Sequence, residues 1–147
     1  MLPAGSHRAS TAICYEVVYP RLARAAVLAG SELLTTITND AWYGETSAPF
    51  QHFAMASMRS IEQGRYLARA ANTGVSGIVD PYVRVTHRSR VFEQTGIVGE
   101  VRFIKARTLY AVVGDVVPWT SVAIVAVALV AVGRRPSGHG RRVRLRP

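Results

Sequence analysis

Cys14 is the only cysteine in the 147-residue chain, so no intrachain disulfide can form. A lone cysteine is ordinarily a small buried hydrophobe, but the neighbours of this one suggest chemistry. Ile13-Cys14-Tyr15-Glu16 leads into Tyr19-Pro20, and Pro20 suits the first turn of a helix. A strand that ends in a thiol and turns at once into a helix exposes the sulfur at a sheet end. It also leaves backbone N–H groups without intrahelical acceptors. Such donors stabilise a thiolate and a developing oxyanion, so Cys14 is a candidate for attack on a carbonyl and thioester formation. Glu16 is either an active-site carboxylate or a charge that favours the helix start. Asn39, Asp40 and Trp42 fall in a stretch of loop composition; they shape the site or serve as turn formers and packing. His52 reads as a satisfied helix residue, with no acid evident to pair with it. No His/Cys cluster has metal-ligand spacing, and neither a metal nor a cofactor is expected.

The elements that must position these residues follow from pattern. Thr11 to Cys14 reads as the end of a short buried strand. Arg21 to Ala29 is helical, with Leu22, Ala25, Ala26 and Ala29 on one face and Gly30 closing it. Leu33 to Thr38 is a buried strand, and 39–48 is a loop. A helix over 49–63 carries the stripe Phe50, Phe53, Ala54, Met58 and Ile61 and ends at Gly64. Strands are expected over 66–71 and 75–79 around an Asn72-Thr73-Gly74 turn, and over 83–91 and 97–103 around Gly96. Alternating strands and helices followed by a run of strands indicate an α/β domain. Met1 lies about a dozen residues before Cys14. That leaves too little chain to build a sheet leading into it, and the sequence reads as beginning in mid-domain.

Val116 to Val132 is uncharged and apolar all round. At about 1.5 Å per residue it is about 25 Å long, slightly short of a ~30 Å hydrocarbon core. Trp119 near its start and Arg134-Arg135 behind it mark a membrane span with the C-terminus in the cytoplasm. The expected organisation is a domain over 1–115, a transmembrane helix over 116–133 and a basic cytoplasmic tail over 134–147. The formal charge of +9 is concentrated in that tail, which holds six of the eighteen basic residues and no acid. A nucleic-acid binder would instead carry its basic face on the folded domain, so no nucleic-acid partner is expected.

Residues 13–20 resemble the cysteine elbow of the nitrilase superfamily, in the form found in apolipoprotein N-acyltransferases. Gly30 to Leu34, Thr38-Asn39-Asp40-Ala41-Trp42-Tyr43-Gly44, Gln51-His52, Met55 to Arg59, Glu62 and Arg65, Arg69 to Ser76, and Gly114-Asp115 continue the resemblance in order. It implies a partial αββα nitrilase-like sandwich followed by one C-terminal transmembrane helix. It also implies acyl transfer from a phospholipid, through a cysteine thioester, to the N-terminal amine of a diacylglyceryl-cysteine lipoprotein. The expected partners are therefore a phospholipid donor, a lipoprotein acceptor and the membrane. In this reading Cys14 is the nucleophile, Glu16 a second catalytic group, Tyr15 an oxyanion donor through its backbone N–H, and Asn39, Asp40 and Trp42 substrate-site residues. The family's triad Glu and Lys lie upstream of the elbow, and Lys105 does not match. The chain alone is thus expected to be incomplete and inactive, with a separate upstream polypeptide as a possible source of both groups. Location follows as a bacterial inner (cell) membrane, with residues 1–115 periplasmic or extracytoplasmic and the C-terminus cytoplasmic. The alternatives are a nitrilase-type amidase and a catalytically inactive membrane remnant.

Overall fold

A computed structural model describes residues 1–134; the remainder of the basic tail lies outside the described residues. Contacts divide the chain into two compact units, Met1–Gly114 and Asp115–Pro147.

The first unit is built on one six-stranded sheet in the order β1-β2-β3-β4-β5-β6. The strands are β1 (Leu2–Ala4), β2 (His7–Ile13), β3 (Leu33–Asn39), β4 (Leu67–Asn72), β5 (Gly77–Val79) and β6 (Val85–Arg88). β2, β3 and β4 are parallel, while β1, β5 and β6 are antiparallel to their neighbours. Parallel neighbours need crossovers. These are α1 (Pro20–Leu28), preceded by a 3-10 turn over Cys14–Val18, and α2 (Ala48–Gln63). Pro20 occupies the first turn of α1, and Gly64 ends α2 in the left-handed conformation at φ +61°. A short α3 (Leu109–Val113) packs on α1 and α2, capped by the Thr108 hydroxyl.

Val17, Val27, Leu34, Phe53, Ala56, Leu67, Val79 and Ala111 form one core between the sheet and these helices. On β3, Leu34 and Thr36 are buried while Ile37 is exposed, as is Ile13 beside it on β2. The unit is therefore one helical layer on one sheet, half of the four layers that the resemblance implies.

Several expectations are corrected. The first residues do build sheet: β1 folds back on β2 through a turn at Gly5, whose φ is +63°. α1 buries Val27, with Ala23 packed against the core, rather than the Leu22 face. α2 buries His52, Ser57, Arg59, Ser60 and Gln63 and leaves Phe50, Met58 and Ile61 exposed; of the expected stripe only Phe53 is buried, and Ala56, outside that stripe, joins it in the core. Residues 97–103 form no strand; Ile104 N–H donates to the Glu32 carbonyl, outside any ladder.

In the second unit α4 (Val116–Gly133) is an 18-residue helix of mean hydropathy 2.2, with none of its residues buried. Its length and composition suffice to cross a membrane.

Candidate active site

Cys14, Asp40 and Asn72 all stand at the C-terminal ends of the parallel strands, where open α/β sheets place their ligand sites. Ile13 is the last residue of β2, and Cys14 follows at φ +52°. A non-glycine residue in the left-handed region is strained, and such strain recurs at nucleophilic turns. The turn is held by its own backbone and by Glu16, whose carboxylate accepts the Ile13 N–H at 2.7 Å, while Tyr19 N–H donates to the Glu16 carbonyl. Glu16 thus grips the elbow across Cys14. The Tyr15 N–H lies in the first turn of this 3-10 segment, where intrahelical acceptors are lacking. Cys14 is half-buried, and among the described residues its thiol makes no hydrogen bond.

Asp40 is the centre of the site. Its side chain is buried, accepting from Thr38 Oγ1 at 3.0 Å and from Arg69 Nη2 at 2.8 Å, with His52 Nδ1 at 3.0 Å. Arg69 Nη2 also lies 3.1 Å from His52 Nδ1. Both members of the Asp40–Arg69 ion pair have fully buried side chains. Burial lowers the Arg69 pKa below its ordinary value, against the pull of Asp40, which raises it; Cys14 and Tyr43 are close enough to act on it too. The Tyr43 phenol is raised, first by burial and then by the Asp40 carboxylate and Cys14. Tyr43 stands edge-on to the His52 ring with centroids 6.0 Å apart, and Tyr15 lies 5.8 Å from the same ring. Gly74 is required behind the carboxylate: a Cβ there would overlap Asp40.

Asn39 points to a different task. Its Oδ1 accepts from Ala41 N–H and Asn72 Nδ2, tying the ends of β3 and β4. Trp42 is 86% exposed, so it is not a core residue. Tyr15 and Asp40 are therefore brought to His52, Cys14 lies close enough to act on Arg69 and Tyr43, and Glu16 and Asn39 brace the turns at either side. The expectation that His52 has no acid partner is overturned by Asp40. Arg69 and Tyr43 stand in the resembling motifs, but nothing local in the sequence assigns them to this cluster. Arg69 lies 29 residues from Asp40 and meets it only through the parallel register of β3 and β4. Lys105 is remote from the thiol; it is exposed and lies 3.9 Å from Glu32, which precedes β3 at the other end of the strands.

The arrangement suits a nucleophile at a strained turn, over a floor of buried, mutually fixed charges. A family model described as carbon-nitrogen hydrolase matches residues 2–109. An apolipoprotein N-acyltransferase from Geobacter metallireducens is 41% identical over 94% of this chain and 26% of its own length. One from Pseudomonas paraeruginosa is 40% identical over 97% of this chain and 28% of its own. The chain thus spans about a quarter of the length of these curated relatives. A solved structure of an amidase from Nesterenkonia sp., in a mutant form with acrylamide added to its active-site cysteine, is 28% identical. It covers 61% of this chain and 37% of that one, with a TM-score of 0.50.

Proposed function

The chain belongs to the carbon-nitrogen hydrolase family, and we propose that it carries the nucleophile of an apolipoprotein N-acyltransferase. The observation that carries this reading is the reach of the likeness. The acyltransferase relative that covers 97% of this chain necessarily matches into α4, whereas the amidase covers 61%. In the proposed reaction the Cys14 thiolate attacks the ester carbonyl of a phospholipid acyl chain. The C–O bond breaks, the lysophospholipid oxygen takes up a proton, and a thioester remains on Sγ. The α-amine of a diacylglyceryl-cysteine lipoprotein then attacks the thioester, forming an amide and returning the thiol. The Tyr15 N–H faces the oxyanion in both steps. Glu16 holds the elbow, Asp40 with Arg69 and His52 forms its floor, and the exposed Trp42 is positioned for substrate. The resemblance assigns the family's triad Glu and Lys to positions upstream of the elbow, and Lys105, exposed beside Glu32, does not match that Lys.

We also place α4 across a bacterial inner membrane, with the preceding unit in the periplasm and the Arg tail in the cytoplasm. A reporter active only in the periplasm, fused after Pro147, then stays silent; activity there rejects this topology.

The test of the chemistry is acyl capture. The chain is reconstituted with and without the upstream portion of a relative and given a radiolabelled phospholipid. A hydroxylamine-sensitive adduct that disappears in Cys14→Ser, and moves to a diacylated lipopeptide, supports acyl transfer. An adduct that persists in Cys14→Ser rejects the assignment of the nucleophile. Ammonia release from simple amides without lipid capture favours the amidase reading, which the likeness to the Nesterenkonia enzyme motivates.

A further inference from the structure

At the opposite end of the parallel strands from Cys14 lies a second cleft, of about 430 Å³, lined by Arg8, Arg65, Lys105, Arg107 and a single acid, Glu32. That acid is already shared: His7 Nδ1 is 2.6 Å from it and Lys105 Nζ 3.9 Å. Among the described residues Arg8, Arg65 and Arg107 form no ion pair, so the cleft holds more positive charge than it neutralises. Arg65 is the deepest of the group, with 1% exposure. Its Nε donates to the Ser31 carbonyl at 2.9 Å and its Nη1 to the Gln63, Gly64 and Ala106 carbonyls, but its Nη2 reaches only the Lys105 carbonyl at 3.5 Å. Burial lowers its pKa; Glu32 opposes that shift and Arg107 adds to it. The Arg107 side chain is exposed and holds only a long contact of 3.4 Å to the Leu28 carbonyl. Arg8 reaches over Gly30, where a Cβ would meet its Nη1 at 3.5 Å.

A buried arginine with no carboxylate partner, ringed by further unneutralised cations, is stabilised by an anion. Arg8, Arg107 and Lys105 line one cleft above the buried charge of Arg65, and several cations around one space suit the multiple oxygens and charge of a phosphate group better than a single carboxylate. We propose that this cleft is a phosphate-binding site, filled by free phosphate or by the phosphate of a lipid headgroup. It is separate from Cys14 and does not depend on the acyl-transfer reading.

The full chain in uncharged detergent, followed by hydrogen–deuterium exchange at constant ionic strength, tests this. The probes are inorganic phosphate, and short-chain phosphatidylglycerol and phosphatidylcholine. Saturable protection of the segments around Arg8, Ser31 and Lys105 to Arg107 is expected. The double variant Arg8→Gln/Arg107→Gln should weaken it at least tenfold. Protection by phosphate alone assigns the free anion, and protection by lipid alone assigns a headgroup. If the double variant fails to fold, Lys105→Gln at a 78% exposed side chain provides the same readout. No protection by any probe, or protection unchanged in these variants, overturns the proposal. So does protection abolished only when Arg134, Arg135, Arg141, Arg142, Arg144 and Arg146 are changed to Gln, since the anion would then be held by the tail.

Discussion

α2 and α4 are helices of similar length that treat their side chains in opposite ways. α2 turns His52, Ser57, Arg59, Ser60 and Gln63 inward and leaves Phe50, Met58 and Ile61 outside. α4 is apolar on every face and buries none of it. The difference shows that an apolar stripe does not by itself say which face a helix buries. α2 is held by specific polar partners: His52 reaches Asp40, and Arg59 donates to the Val18 carbonyl and pairs with Glu62. α4 has no charged side chain, its Thr120 and Ser121 hydroxyls bond only to carbonyls of their own helix, and its length and composition suffice to cross a membrane.

The comparison breaks most sharply at Arg69. Arg69→Met leaves the buried Asp40 carboxylate without its cation, and removing one partner of a buried pair costs about 3–5 kcal/mol. Urea unfolding of the chain in mild detergent reads this directly. Asp40→Asn combined with Arg69→Met should cost less than Arg69→Met alone, because no unpaired charge is left behind. A single Arg69→Met within about 1 kcal/mol of wild type would show that this network does not hold the helix.

The second effect concerns α4. Val125→Arg near its middle should disfavour insertion by about 2.5–3.5 kcal/mol. Alkaline carbonate extraction would then move the variant from the membrane fraction, while unfolding of the Met1–Gly114 unit stays unchanged. A variant extracted like wild type would mean that α4 does not lie in lipid.

Much of the framework was legible in the sequence. The strand before Asn39, the helix ending at Gly64 and the turn between Asn72 and Gly74 rest on local signals: β-branched runs, a left-handed cap and turn residues. The apolar length of 116–133 is equally local. What periodicity could not supply is the meeting of Asp40, His52 and Arg69. That depends on the parallel register of β3 and β4 and on the return of α2 across the sheet. The same long-range pairing turned α2 over, because a buried ion pair and its histidine required the polar face inside. On α1 the competing faces are almost equally apolar, so alternation alone does not choose Ala23 and Val27 over Leu22. The hairpin of β1 and β2 is not legible in the sequence because β1 is only three residues long and β2 opens on the polar run His7-Arg8, which carries no apolar alternation.

A smaller effect is expected at Asp80, which separates a local polar clasp from the network beneath Cys14. Its carboxylate accepts from Tyr82 N–H at 2.8 Å, Arg84 N–H at 2.9 Å and Arg84 Nε at 2.6 Å. Burial pushes its pKa up, but the hydrogen bonds from Arg84 and Tyr82 outweigh that and hold it below the ordinary 3.8. A carboxylate depressed in the folded state adds stability above its unfolded pKa and loses it as pH falls through the folded one. Asp80→Asn should therefore lower stability at neutral pH by about 1 kcal/mol, with the two unfolding curves converging below about pH 4. A difference that stayed constant into acid would mean that the carboxylate's charge is not what closes the turn between β5 and β6.

The smallest effect should be at Met58, and its smallness is the point. Met58 is 46% exposed on the outward face of α2, one residue from the buried Ser57. Met and Gln have nearly equal helix propensity, so Met58→Gln changes the apolar surface and little else. If α2 is held by its polar face, the variant unfolds within about 0.5 kcal/mol of wild type, as surface substitutions generally do. An apolar stripe that was instead covered in solution would give a larger loss. Cover by a second copy of the chain would also make that loss depend on protein concentration. Unfolding midpoints taken at two concentrations tenfold or more apart separate these outcomes. A concentration-independent loss above 1 kcal/mol would place Met58 in the folding core and reverse the contrast drawn between α2 and α4.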